Sequence, residues 1–325
     1  MLKDQFMIIR TAALAAVLFC AKYAEASSLA FVTNQKADTV SVINVEEGRV
    51  VETLTVGKDP AGVAVSGDAS RVLITSPTAG EVSVIDGNSL NVNKVMKVGE
   101  GPLGVAISRD GKQGYVADFY GHFVSAKNID GGEISKRIPV GHYPAGLVVS
   151  RSGRQVYVAE REDDQVSIID GTALTVTRSV KVGRHPFGLV LDAEERRLFV
   201  ANVESNDVSI ISLDRFEVIG AIRVGERPYA MAIAGKPEML YVTNQYDSTV
   251  SVIDLKTYAV VRTIPVGEYP EGIAADETGG KVLVANWFDN SVSTIDTETF
   301  VVKKTVSTGN GSRAFGQFMA LGLGR

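Results

Sequence analysis

Three histidines, His122, His142 and His185, are the only imidazoles in the chain. Asp118 and Glu160 stand near them at the ends of short apolar runs, at positions where similar runs elsewhere end in Asn. Imidazole and carboxylate together are divalent-metal ligands, and a metal-bound water would serve lyase or hydrolase chemistry. A second set mixes aromatic and charged side chains: Tyr143, His185, Phe187, Arg227, Tyr229, Tyr269, Glu271, Trp287 and Arg313. Such a mixture suits a small polar ligand or a protein partner. A third possibility is single-stranded nucleic acid, held by Lys58, Arg184, Arg227 and Arg313 with aromatic neighbours for base stacking. The net charge of −5 disfavours that reading, since no broad basic field faces a phosphate backbone. The chain has no G-x-S-x-G elbow, no H-E-x-x-H, no P-loop and no C-x-x-C. A binding role is therefore expected before a catalytic one.

What must position these residues is a repeat. Val-Gly-x-x-Pro recurs at Val56-Gly57 with Pro60, Val98-Gly99 with Pro102, Val140-Gly141 with Pro144, Val182-Gly183 with Pro186, Val224-Gly225 with Pro228, and Val266-Gly267 with Pro270. A seventh, degenerate copy is Thr308-Gly309-Asn310-Gly311-Ser312, and the glycines are 42 residues apart throughout. A constant period near 40 residues marks a repeat architecture.

Each repeat reads as four short strands. The first, as in Gly62–Val65, is small and apolar, fit for burial on both faces. The fourth, as in Val51–Val56, is the most polar and suits an outer edge. Four strands per 42-residue unit predict an all-β, seven-bladed β-propeller over residues 27–325. The phase predicts how the ring closes. The blade that begins with the strand Leu29–Thr33 takes three strands from the N-terminal end and its innermost strand, Arg313–Met319, from the C-terminal end. Loops entering each blade should share one face with the loops joining second and third strands. All the candidate residues above fall on that upper face, around the channel mouth. The recurrent Asn34, Asn202, Asn244 and Asn286 are expected to cap turns through their own side chains.

Phe31-Val32-Thr33-Asn34, Tyr241-Val242-Thr243-Asn244, Val250–Asp254 and Thr263–Gly267 resemble the YVTN family of β-propeller repeats. The resemblance implies a propeller. It also implies an exported protein of the kind that includes accessory partners of periplasmic quinone-dependent dehydrogenases. Related propellers in amine dehydrogenases and nitrite reductases carry cofactors through additional residues or chains, and no haem motif occurs here.

The first 26 residues read as a cleaved signal peptide: Lys3 and Arg10, an apolar run from Thr11 to Ala21, then Ala24-Glu25-Ala26. The only cysteine, Cys20, lies inside it. A periplasmic monomer is expected, with no cofactor beyond the divalent metal that His122, His142, His185, Asp118 and Glu160 could hold. Its partner would be a periplasmic protein or a small polar ligand, and the mature chain has no stretch apolar enough to span a membrane.

Overall fold

The computed structural model describes residues 28–131, 134–276 and 280–320. Residues 1–26, for which the sequence suggests a signal peptide, lie outside the described residues. Seven sheets form, six of four strands and one of five. In blade 1 the strands are Gly62–Val65, Arg71–Ser76, Glu81–Asp86 and Val92–Lys97, antiparallel in that order from the channel outward. Blades 2 to 6 repeat this plan, and blade 7 combines both ends of the chain. The innermost strands of blades 1 to 6 touch their neighbours in turn, and the segment Phe315–Gln317 closes the circle between blades 6 and 1. No helix among the described residues is long and apolar enough to cross a membrane.

Burial follows strand position. Gly62–Val65 is wholly buried, whereas the outermost strand Val260–Pro265 is exposed at all but Ile264. The core between blades is filled by one large residue per second strand at a spacing of 42: Phe31, Leu73, Tyr115, Tyr157, Phe199, Tyr241 and Leu283 are each at most 1% exposed. Interiors are packed to crystal density, so a wedge-shaped gap between twisted sheets needs such a filler in every blade. Burial pushes the Tyr157 and Tyr241 phenols up to about 12. Tyr157 Oη donates to Gln155 Oε1 at 2.6 Å. Adjacent blades are also tied by buried threonines: Thr33, Thr75 and Thr243 donate to the backbone oxygens of Ala61, Leu103 and Glu271 at 3.0, 2.8 and 3.4 Å.

Ring closure is as expected in plan and different in detail. Met319–Ala320 pairs antiparallel with Leu29–Ala30, and the Phe31 amide donates to the Phe318 carbonyl at 2.8 Å. Ser312 bridges Asn34, and the Arg313 amide donates to the Thr33 carbonyl at 2.8 Å. Between these anchors the chain leaves the blade. Phe315–Gln317 runs into the channel and pairs parallel with Gly62–Ala64 of blade 1, which accounts for the five-stranded sheet. Hence Arg313–Met319 is not one continuous innermost strand. In blades 2 to 6 the innermost strand carries a one-residue bulge after Pro, as between Pro186 and Leu189. In blade 7 the step from Ser312–Asn34 to Met319–Ala30 holds three extra residues. Gly316, at φ +109°, makes the detour possible, because a side chain there would be strained and would meet the Val63 carbonyl.

Phe31 seals the blade on which closure depends, and it is 0% exposed. Phe31→Ala should lower stability by about 3–5 kcal/mol. Val301→Ala on an outermost strand, 50% exposed, should stay within about 0.5 kcal/mol. Urea denaturation followed by circular dichroism compares them, and equal midpoint shifts would contradict the packing assigned to Phe31.

Candidate functional site

The upper face is built from backbone conformations that recur in each repeat. The residue before the repeat proline is left-handed at Asp59, Tyr143, His185, Arg227 and Tyr269, with φ from 52° to 56°. In each case the chain turns sharply from one blade into the next. The amide at this position is held by a side chain of the preceding blade. Asp38, Asp164, Asn206 and Asn290 accept from Asp59, His185, Arg227 and Gly311 at 2.9, 2.8, 2.9 and 2.6 Å. His122 takes the same place in blade 2, its Nδ1 accepting from the Tyr143 amide at 3.1 Å. His122 is thus the repeat's Asp/Asn acceptor in another chemical form.

The other metal candidates are engaged separately. Asp118 accepts backbone N–H bonds from Glu100, Gly101 and Gly121 at 2.7, 3.2 and 2.8 Å. Glu160 accepts from Gln165 Nε2. His142 meets Asp163, with Nδ1 3.1 Å from Oδ1 and its amide donating to Oδ2 at 2.5 Å. Burial opposes the charge on Asp163, but these bonds outweigh it and hold its carboxyl low. His185 lies 3.7 Å from both Glu162 and Glu204. His122 and His142 do stack edge-on at 5.1 Å, yet no group of three or more His, Cys, Asp or Glu among the described residues is arranged to hold a metal. The recurrent asparagines are structural in a way different from turn capping. Asn34, Asn244 and Asn286 are fully buried, and each donates sideways to two hydroxyls of the third strand at 2.9–3.0 Å.

The channel mouth opens into a cavity of about 700 Å³. Its floor comes from the residue after the repeat proline where that side chain is large enough to reach in: Leu103, Phe187, Tyr229, Glu271 and Arg313 line the cavity, whereas Ala61 and Ala145 at the same repeat position are buried and do not. Blade 2 contributes Leu103 there and blades 4 to 7 contribute larger side chains, so the floor is lopsided. Its wall comes from the first residue of six of the seven second-to-third-strand loops: Gln35, Pro77, Phe119, Arg161, Val203 and Gln245. Those loops are pinned to the incoming ones, as where the Gln245 amide donates to the Arg227 carbonyl at 3.1 Å. Six of the nine channel-mouth candidates line the cavity: Phe187, Arg227, Tyr229, Tyr269, Glu271 and Arg313. Tyr143 sits outside it against Phe119 and His122, ring centroids 5.0 Å away in each case. Trp287 donates to Gln35 Oε1 at 3.0 Å beneath Lys36, and neither it nor His185 lines the cavity. Leu103, Gln35 and Gln245 were not among the expected residues. Their repeat positions match those of Glu271 and Trp287, and that alignment is the signal that identifies them.

Phe187 and Tyr229 stack at 4.1 Å, and Phe315 packs on both from the bulged closing strand, at 4.7 and 5.8 Å. Beside this aromatic plug lies a buried ion pair. Arg313 Nε stands 2.5 Å from Glu271 Oε2, Arg313 Nη2 donates to Tyr229 Oη at 3.0 Å, and Gln245 Nε2 donates to Glu271 Oε1 at 3.0 Å. Burial raises the Glu271 carboxyl above its ordinary range, with Arg313 and Gln245 pulling the other way. Burial opposes the Arg313 charge, but Glu271 and Tyr229 overcome it and push the guanidinium further up. Burial likewise raises the Tyr229 phenol. At the rim Arg227 pairs with Glu204 and lies over the Tyr246 ring at 5.3 Å.

Fold and site together define a seven-bladed β-propeller with a ligand-sized cavity at one mouth of its channel. A family described as "Lactonase, 7-bladed beta-propeller" matches residues 126–218, from the third strand of blade 2 to the start of the outermost strand of blade 4. No curated protein matches the chain. Among solved structures, Kuenenia stuttgartiensis hydrazine synthase is 19% identical with a TM-score of 0.71, covering 79% of this chain and 89% of that one. A protein of unknown function from Desulfotomaculum acetoxidans is 15% identical with a TM-score of 0.77, covering 89% and 99%. Dihydro-heme d1 dehydrogenase NirN, in complex with DHE, is 14% identical with a TM-score of 0.67, covering 85% and 63%. These likenesses show the fold.

Since His122 acts as a backbone-amide acceptor, His122→Asn should leave the melting temperature nearly unchanged. His122→Ala removes the acceptor and also forces a β-carbon residue without local hydrogen bonding to hold φ 57°, so it should cost about 1–2 kcal/mol. Differential scanning calorimetry separates the two, and equal losses would refute the acceptor role.

Proposed function

We propose that this chain is an exported propeller that binds a small polar ligand in the upper-face cavity and performs no chemistry on it. The observation that carries the reading is a concave site of about 700 Å³ whose floor holds a buried, hydrogen-bonded ion pair among aromatic rings. Ligand sites are typically concave, of roughly 300–1,000 Å³, and mostly apolar with a few convergent polar groups. The leader segment supports a periplasmic location. The repeat resemblance supports an accessory role beside a quinone-dependent dehydrogenase, with the ligand or a polar side chain of the partner seated in the same cavity.

A second reading, lactone hydrolysis at this site, draws support from the family match over residues 126–218, which supplies Arg161, Phe187 and Val203 to the cavity.

Leu103 lines the roomy side of the floor. Leu103→Trp should fill the cavity and abolish thermal-shift responses of the purified protein to a panel of amino acids, organic acids, sugars and nucleosides, while the far-ultraviolet spectrum stays unchanged. Responses that survive the substitution would place binding elsewhere. On the binding-only reading, a pH-stat assay with five- and six-membered lactones should record no proton release above the buffer rate. Protein-dependent acid release that Leu103→Trp removes would replace binding by hydrolysis.

A further inference from the structure

The upper face carries a second concavity beside the cavity. Between blades 5 and 6 an open groove of about 410 Å³ shares Tyr246 and Tyr269 with the cavity and adds Phe288, Glu226 and Glu268. The three rings are contiguous: the Tyr269 centroid stands 5.8 Å from that of Tyr246 and 5.0 Å from that of Phe288. Tyr246 and Phe288 are 58% and 51% exposed. With Tyr120 they are the exposed aromatic rings among the described residues, and all three hold the second position of a second-to-third-strand loop. Aromatic rings left in water together on one face mark a surface that a partner covers.

The chain itself shows what these rings attract. At one end of the run Arg227 lies over Tyr246 at 5.3 Å. At the other, Lys36 lies 4.5 Å from the Trp287 centroid and 5.9 Å from that of Phe288. The negative face of an aromatic ring draws such cations. Carboxylates flank the groove without counter-ions. Glu226 and Glu268 line it, and Asp247 and Asp289 accept their backbone amides at 2.7 Å each. Among the described residues none of these four has an ion-pair partner, whereas the neighbouring Glu204 and Glu271 are paired with Arg227 and Arg313. Rings bordered by uncompensated carboxylates complement a positive side chain and repel an acidic one. A free small molecule is a poor match, since ligand sites bury most of their ligand and this groove is open. A protein partner closes such a groove with its own surface. A second copy of this chain, with the same net charge of −5, is the wrong sign.

We propose that the groove between blades 5 and 6 docks a basic segment of a protein partner, with a lysine or arginine side chain lying across Tyr246, Tyr269 and Phe288 between Glu226 and Glu268. The proposal needs the upper face to be the binding face and is independent of what enters the cavity. The probes are fluorescein-labelled nonapeptides in which glycine alternates with arginine, lysine, glutamate or norleucine, followed by fluorescence anisotropy at low ionic strength. The arginine or lysine peptide should bind at least ten-fold more tightly than the other two. Tyr246→Ala with Phe288→Ala keeps the charge and, both rings being more than half exposed, the melting transition; it should weaken that binding five-fold or more. Glu226→Gln with Glu268→Gln should do the same. Glu52→Gln with Glu298→Gln removes equal charge from exposed positions outside the upper face and should change binding less than two-fold. Leu103→Trp, which fills the cavity, should leave peptide binding intact. Failure of both basic peptides to bind would overturn the proposal, as would wild-type affinity in the variant lacking the two rings. Equal loss in the Glu52/Glu298 control would reduce the effect to general charge attraction, and loss in Leu103→Trp would move the peptide into the cavity; either outcome removes the groove's role. A dimer in sedimentation velocity that Phe288→Ala disperses would make a second copy the occupant and overturn the proposal as well.

Discussion

The molecule depends on one junction, the antiparallel pairing of the C-terminal Met319–Ala320 with the N-terminal Leu29–Ala30. A twisted stack of sheets would otherwise end in two exposed inner edges, each an open row of backbone donors and acceptors. The 42-residue unit brings the last innermost strand beside the first second-position strand, and the hydrogen bonds of Phe31, Arg313 and Ala314 lock it there. The same short segment carries Arg313 and Phe315. Closure and cavity floor are therefore one structure, and anything that opens the ring also dismantles the site.

On this frame, difference between blades is confined to a few repeat positions. The residue before each repeat proline is mostly left-handed, with its amide held by a neighbouring side chain. The residue after it points its variation into the channel. Backbone geometry is thus over-determined while side chains are free to differ, which is the condition for a rigid scaffold to carry a specific site. The lopsided floor follows from Leu103, Phe187, Tyr229, Glu271 and Arg313 lining it while the same repeat position is a buried alanine at Ala61 and Ala145. The charges on it are nearly all paired across blade boundaries, so ionic contacts join binding chemistry to ring cohesion.

The architecture was almost wholly legible in the primary structure, because a fixed period with a four-strand pattern leaves few alternatives. The upper face was legible too, since strand alternation decides which loops share a side. The closing strand was read too simply. Phe315-Gly316-Gln317 has an ordinary strand composition, and nothing local announces that the segment leaves its blade to pair with Gly62–Ala64. Chemistry-bearing residue types misled at His122, whose repeat-equivalents Asp38, Asp164, Asn206 and Asn290 show the same acceptor duty in plainer form. The Asn side chains were expected to bond their own turns and bond the third strand instead, because burial at the hairpin end puts its hydroxyls in reach.

Period and polarity by themselves determined the number of blades, the order of strands and the face that varies, since each follows from backbone connectivity and from which side chains shun water. Only the tertiary structure decided that Glu271, Arg313, Tyr229 and Gln245 meet. They come from three repeats, and their contacts exist because closing a ring brings distant segments to one axis. Only the closed ring also fixes how much water each charge loses, and that loss is what turns an ordinary glutamate and arginine into the floor of a site.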